Sequence, residues 1–379
     1  MSQFTCIDLF AGAGGLSVGL SQAGMKILAA NDFDEYAAKT YKYNHPDVSF
    51  FDGPIQEISS DDLLNETGLK RGELFCLAGG PPCQAFSIYN HQRGLHDERS
   101  GLFREYIRLV EGLLPQWIVM ENVTGMTSVE NGLAIQEICR NLTELGYNIE
   151  YKVLKAEEYG VPQERRRIIF LGNRLGIPIK FPKPTHDGLH SPFVNVEDAI
   201  MDLPEIGIND GMDETEYTKF PSSRYQKEMR KNATKLYNHV SPNLGEINRK
   251  RLTYIKQGGS WRDIPVELLP AGMKKAKRSD HTKRYGRLSL SGLSSTILTK
   301  CDPHWGAYFH PTQDRVITVR EAARFQSFPD HYRFLGSRGE QYKQVGNAVP
   351  SLLAKAIGEE IIKSHISISK SKKLKEISS

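Results

Sequence analysis

No stretch of the chain approaches the ~18 uncharged apolar residues that a membrane helix needs, and Met1-Ser2-Gln3-Phe4 lacks the basic-then-apolar start of a signal peptide. Cysteine is scarce. The five residues at 6, 76, 83, 139 and 301 are odd in number and form no Cys-x-x-Cys pair, which excludes a zinc ribbon and a disulfide framework. No metal site is expected. Neither sign of charge dominates: 49 Lys plus Arg stand against 45 Asp plus Glu, for a net charge of +4. With 39% hydrophobic and 25% charged residues, the composition excludes a disordered or fibrous chain. These absences leave a cytoplasmic protein with reduced thiols, no membrane partner and, at 379 residues, about two domains. Any cysteine that matters does so through its chemistry.

What is present is an alternation of short apolar runs and amphipathic stretches over the first 175 residues, the pattern of a parallel α/β sheet. Strands are expected at Phe4–Leu9, Met25–Ala30, Phe75–Ala78, Trp117–Met120 and Ile168–Leu171, and helices at Leu16–Ala23 and Leu102–Leu114. From about 176 to 315 eleven prolines punctuate a polar, basic stretch that reads as a loop-rich second region. Helical patterning returns at Val319–Phe325 and Val349–Ile362, and the tail from Ser364 is expected to fray. Charge is unevenly spread. Lys274, Lys275, Lys277, Arg278, Lys283, Arg284 and Arg287 are opposed only by Asp280, whereas residues 52 to 73 are acid-rich. That asymmetry suits a polyanion, though a solvated lysine-rich surface reads the same way in isolation.

Four motifs carry candidate chemistry. In Asp8-Leu9-Phe10-Ala11-Gly12-Ala13-Gly14-Gly15 a strand runs through clustered glycines into a helix, where backbone N–H groups and the positive helix end approach a polar ligand. Asp32, 20 positions after Gly12, is placed to take ribose hydroxyls. Ser17 stands where a dinucleotide fingerprint has its third glycine, so a nucleoside without pyrophosphate fits better, with a purely structural turn as the alternative. In Gly79-Gly80-Pro81-Pro82-Cys83-Gln84-Ala85-Phe86-Ser87 two prolines fix φ ahead of a thiol at a strand's carboxyl end, which suits a nucleophile more than a buried structural cysteine. Glu121-Asn122-Val123 ends another strand, offering a general acid at Glu121 or a helix cap at Asn122. In an extended Gln163-Glu164-Arg165-Arg166-Arg167 the first, third and fifth side chains share one side, giving two guanidiniums for an anionic backbone or a base edge.

In this order, and with Arg320-Glu321-Ala322-Ala323-Arg324-Phe325-Gln326-Ser327-Phe328-Pro329 and Gln344-Val345-Gly346-Asn347-Ala348-Val349-Pro350, the sequence resembles the cytosine-C5 DNA methyltransferases over nearly its whole length. The resemblance implies a mixed, mostly parallel Rossmann-like S-adenosylmethionine-dependent sheet with a smaller loop-rich target-recognition domain. Residues 1–185 plus 325–379 would form the catalytic domain and 186–318 the DNA-reading one. It further implies a cytosine flipped out of double-stranded DNA. Cys83 would attack C6 while Glu121 protonates N3, Arg167 would hold O2, and Arg165 would support the base and adjoining backbone. At the cofactor it places Phe10, Ala11, Gly12, Gly14, Gly15, Asp32, Phe33, Ile55, Gly80, Asn347 and Ala348. At DNA it places Gln84, Ser87, Lys274, Lys275, Arg278 and Thr296, of which the lysines and Arg278 would grip phosphates.

One departure stands out. Where the family often reads Gly-Asp-Ile toward the adenine amino group, this chain reads Asp52-Gly53-Pro54-Ile55, so Asp52 or a backbone group must replace the contact. Residues Ile88–Ser100 resemble the family's mobile loop over DNA. A monomer is expected, with a restriction endonuclease of the same specificity acting separately. The alternatives are a tRNA cytosine-C5 methyltransferase, a DNA-binding regulator without turnover, and a nicotinamide oxidoreductase, the last disfavoured by the glycine spacing.

Overall fold

The computed structural model describes residues 4–82, 101–127 and 132–377, with side chains to Ser367. Cys83, Gln84, Ser87 and the expected loop Ile88–Ser100 lie outside the described residues. Contacts divide the chain into two compact units. The first comprises residues up to Lys155, Arg166–Pro184 and the chain from Val349; the second comprises Ala156–Arg165 and Thr185–Ala348. Residues 319–348, expected with the catalytic part from 325 onward, therefore group with the second unit.

The first unit is built on a seven-stranded sheet of order β3-β2-β1-β4-β5-β7-β6. Its strands are β1 (Thr5–Leu9), β2 (Lys26–Asp32), β3 (Ser49–Asp52), β4 (Cys76–Gly79), β5 (Trp117–Val123), β6 (Asn148–Lys155) and β7 (Arg166–Asn173). The first five pair in parallel; β7 runs antiparallel to both β5 and β6. The mixed, mostly parallel sheet agrees with the sequence reading. Interior strands are apolar on both faces, as β4 (Cys-Leu-Ala-Gly, wholly buried) illustrates, because helices cover both sides. Those helices are α1 (Gly15–Gln22), α2 (Glu35–Asn44), α3 (Ser60–Thr67), α4 (Leu102–Leu113), α5 (Leu133–Glu144) and, last in the chain, α11 (Ser351–Ile377).

Helix α11 returns to the sheet by packing on α1. A Cβ at Gly19 would stand 2.2 Å from the Ser351 carbonyl oxygen, and one at Gly358 2.7 Å from Ala23 Cβ. Two glycines thus let the backbones approach closely. The tail expected to fray from Ser364 is instead helical to Ile377. No glycine or proline follows Gly358 to stop it.

The second unit holds the hairpin β8 (Gly211–Thr215) and β9 (Leu236–Val240). Its helices are α6 (Val196–Ile200), α7 (Arg224–Met229), α8 (Glu246–Leu252), α9 (Val319–Phe325) and α10 (Arg338–Asn347). Its centre is ionic. Arg324, fully buried, reaches Asp202 at 2.8 Å and Asp330 at 2.6 Å. Glu321 accepts two hydrogen bonds from Arg315 and one from the Thr318 N–H, which closes the capping box of α9. Burial works to raise the Glu321 carboxyl, but the Arg315 guanidinium outweighs it and holds the group well below the ordinary range. Burial lowers His310, beside it, to about 4.

Candidate active site

The carboxyl edge of the sheet collects the motifs of the first unit. After β1 the chain turns with Phe10, Gly12 and Gly14 at φ 56°, 55° and 86°. Glycine takes that region freely, but Phe10 is strained by about 1 kcal/mol or more, a cost typical of ligand turns. The turn is locked by Ala11 N–H to the Asn31 carbonyl (2.9 Å) and Gly14 N–H to the Ala11 carbonyl (2.8 Å). Asp32, at the end of β2, accepts from Gly12 N–H at 2.7 Å and from Asp34 N–H at 2.8 Å. Burial raises its carboxyl, and each oxygen keeps a lone pair for a further donor.

Beneath this turn lies Asp8, which the sequence reading had not singled out. It is wholly buried, Oδ2 accepts from the Ser17 hydroxyl at 2.6 Å, and Oδ1 has no hydrogen-bond partner among the described residues. Burial pushes its carboxyl up to about 7, Ser17 pulls it back, and the charge of Asp32 adds to the rise. The only sequence signal was an acidic residue just before the glycine turn.

Phe33, next to Asp32, is 65% exposed, a free aromatic face suited to stacking. Ile55, expected at the cofactor, is buried in the core with Leu63 and Ile107. Asp52 pairs both of its oxygens with Lys42 Nζ at 2.9 Å in an exposed ion pair, and each oxygen keeps a lone pair for a further donor. Asn31 holds the neighbouring loop through the Phe51 and Gly53 carbonyls, so Asp52 and the backbone beside it are both held in place.

The catalytic motifs converge one strand further along. Glu121 lies inside β5, which runs on to Val123, rather than after it. Its Oε1 pairs with Arg167 Nε at 2.5 Å, both side chains nearly buried. The antiparallel register sets Arg167 opposite Val123, two residues along from Glu121, so this pair follows from the sheet itself. A Cβ at Gly80 would stand 3.3 Å from Glu121 Oε2. The missing side chain at Gly80 keeps that second oxygen accessible. Asn122 is no helix cap: its Nδ2 donates to the Pro81 carbonyl at 3.0 Å. It thereby tethers the Pro81-Pro82 segment that leads into Cys83. A carboxyl, a guanidinium and the anchored approach to a thiol thus share one strand edge.

Gln163 and Arg165 have other duties. The Arg165 guanidinium, 1% exposed, donates to the carbonyls of Ile297 (3.0 Å), Gly346 (2.9 Å) and Ala348 (3.0 Å). Gln163 accepts from Ile297 N–H and donates to the Phe325 carbonyl and to Gln326. Both are bolts of the second unit. Thr296 donates its hydroxyl to the Glu164 carbonyl at 2.6 Å. Asn347 is exposed and Ala348 buried. Lys274, Lys275, Lys277 and Arg278 are exposed and have no carboxylate partner among the described residues. By contrast Arg249, Arg251 and Arg287 hold backbone carbonyls.

A glycine turn and acidic strand end beside a carboxyl and the tethered Pro81-Pro82 segment, on a sheet with one reversed strand, define a nucleoside-cofactor group-transfer enzyme. The residues present fit S-adenosylmethionine: Asp32 for ribose, Phe33 for adenine, and Asp8 with a buried oxygen that lacks a donor. The family model described as C-5 cytosine-specific DNA methylase matches residues 4–363. The chain belongs to that family and is a DNA (cytosine-5-)-methyltransferase.

Type II methyltransferase M.AgeI of Thalassovita gelatinovora is 34% identical over 422 residues, covering 94% of this chain and 98% of that one. M.DdeI of Desulfomicrobium norvegicum is 35% identical over 94% of this chain and 88% of its own. A solved structure described as a DNA modification methyltransferase of an Escherichia coli prophage superposes with a TM-score of 0.76. It has 24% identity and covers 95% of this chain and 99% of that one. The regulator and oxidoreductase alternatives are thereby set aside. Among the described residues no group of His, Cys, Asp or Glu could hold a metal, and no helix is long and apolar enough to cross a membrane.

Proposed function

We propose that the chain methylates C5 of a flipped-out cytosine within a specific double-stranded DNA sequence, through a covalent bond between Cys83 and C6. The observation that carries this reading is the Glu121–Arg167 pair beside the side-chain-free Gly80, on the strand edge where Asn122 tethers Pro81 ahead of Cys83. S-adenosylmethionine, when bound, supplies an electrophilic methyl group. Phe10, Gly12, Gly14, Asp32 and Phe33 would hold its adenosine end.

In the resting site Arg167 occupies Glu121. A cytosine that enters takes both partners: Arg167 moves to O2, and Glu121, which takes up a proton from water once the guanidinium leaves it, donates that proton to N3 and recovers it when the ring is restored. Protonation draws electrons from C6, the Cys83 thiolate adds there, and C5 gains the electron pair that accepts the methyl group. A base then removes the C5 proton, the pair returns to the ring, and Cys83 leaves as thiolate. Arg165 contributes as a positioning residue that fixes the backbone at 297 and 346–348. The second unit would bind DNA, with Lys274, Lys275 and Arg278 on phosphates. The relatives named as Type II methyltransferases support a restriction endonuclease acting separately; the enzyme would work as a cytoplasmic monomer. Bisulfite sequencing of host DNA after expression in a methylation-free bacterium tests the reading: one recurrent sequence context must be fully protected, and unmodified DNA would refute it.

A further inference from the structure

The chain has three tryptophans, two of them buried: Trp117 is 1% exposed and Trp261 4%. Trp305 is 45% exposed, an unusual state for the largest apolar side chain. It is nevertheless held firmly. The Arg284 guanidinium lies 4.9 Å over its ring, and His304 packs edge-on at 4.7 Å. His304 is fixed by a 2.9 Å hydrogen bond to the Tyr285 hydroxyl. Below them the backbone is zipped: Tyr285 N–H meets the Pro303 carbonyl, Gly286 N–H the Gly306 carbonyl, and Phe309 N–H the Gly286 carbonyl. A Cβ at Gly286 would fall 2.6 Å from Ala307 Cβ, so the two segments cannot be moved apart or padded. Arg284 has no carboxylate partner among the described residues; the exposed cations Lys274, Lys275, Lys277 and Arg278 precede it, and Lys283, beside it, pairs with Glu164 at 3.2 Å. An aromatic ring presented rigidly close after a set of exposed, unpaired cations has the chemistry of a nucleobase platform, where backbone charge brings the strand in and the ring face takes a base.

We infer that Trp305 stacks on a nucleobase of the target duplex and thereby helps decide which sites the enzyme engages. Arg284 is a positioning residue that orients the indole. The inference rests on the DNA-methylating reading and goes beyond it, because neither the motifs nor the resemblance assigns Trp305 a role.

Tryptophan fluorescence tests it on the full chain, since the other two indoles are shielded from quencher. A duplex carrying the sequence found methylated should protect the emission from acrylamide, whereas a random duplex, bound equally by anisotropy at low salt, should not. Trp305→Ala should weaken binding to the target duplex by about 10- to 100-fold, the range for one lost base–aromatic stack, with the random duplex changed less than about twofold. Trp305→Phe should recover most of the loss. The salt dependence of binding should stay constant in both variants, because no cation is removed. Target binding unchanged in Trp305→Ala, or lost equally for both duplexes, would overturn the inference while leaving methylation in place. A wild-type chain that methylates no DNA would overturn the underlying reading, and this inference with it.

Discussion

Replacing Asp8 with Asn removes a titratable group from beneath the glycine turn while keeping its shape and an acceptor for the Ser17 hydroxyl. In the folded chain burial holds the Asp8 carboxyl near 7, against an ordinary value of 3.8. Because the folded value is the higher one, the folded state binds this proton more tightly. The stability so contributed is complete below about 4 and is lost as pH rises through about 7. The gap, 7 minus 3.8, corresponds to about 4 kcal/mol at 1.36 kcal/mol per pH unit.

His310 runs the opposite way over nearly the same interval. Burial lowers it from 6.5 to about 4, so its contribution is lost as pH falls from about 6.5 toward 4. The wild-type profile is therefore flat in part by cancellation, and the difference between variant and wild type isolates Asp8. Denaturant unfolding of the cofactor-free chain at pH 5 to 8 should show Asp8→Asn gaining on wild type steadily. Because about 1.7 kcal/mol is already lost by pH 5, the gain over this window should be about 2.6 kcal/mol and should level off above about pH 7.5. A difference independent of pH would refute the account of Asp8 as a buried, mostly protonated acid.

Glu121→Gln should slow single-turnover methylation by about two to four orders of magnitude, the scale for losing a positioned general acid; a loss below tenfold would mean N3 is activated elsewhere. Arg165→Met strands three buried carbonyls, at 297, 346 and 348, and should destabilise the chain by about 3 kcal/mol or more in urea unfolding. An unchanged midpoint would contradict its role as a bolt. Neutralising Lys274, Lys275, Lys277 and Arg278 should weaken binding to every duplex alike and flatten the salt dependence of log affinity by about 0.9 per lost phosphate contact. A change in which sites are methylated would show that this run reads bases.

Most of the fold's site-bearing edge was legible because its punctuation is chemical. Glycine at 12 and 14 and proline at 81 and 82 mark strand ends whatever surrounds them. The strand β6 was not, since an edge strand with Tyr151 and Val153 half exposed lacks the continuous apolar run of a buried one. Glu121 was legible as the acid, but its residence inside β5 was not, because a polar residue in a strand interior reads as an end. The duties of Gln163 and Arg165 lay beyond any local pattern, because their partners sit 132 to 183 residues away. Asp8 escaped notice for a related reason, since its character comes from burial and from Ser17 and Asp32, none of which spacing reports.

The central claim, nucleophilic attack by Cys83 on cytosine C6, is tested most directly by a duplex carrying 5-fluorocytosine at the methylated position, offered with S-adenosylmethionine. Fluorine cannot leave as a proton does, so the enzyme should stop as a covalent, denaturation-resistant complex containing the transferred methyl group. Peptide mapping should place the bond on Cys83, with Cys83→Ser forming none. Full turnover without an adduct, or an adduct on another residue, would contradict the mechanism.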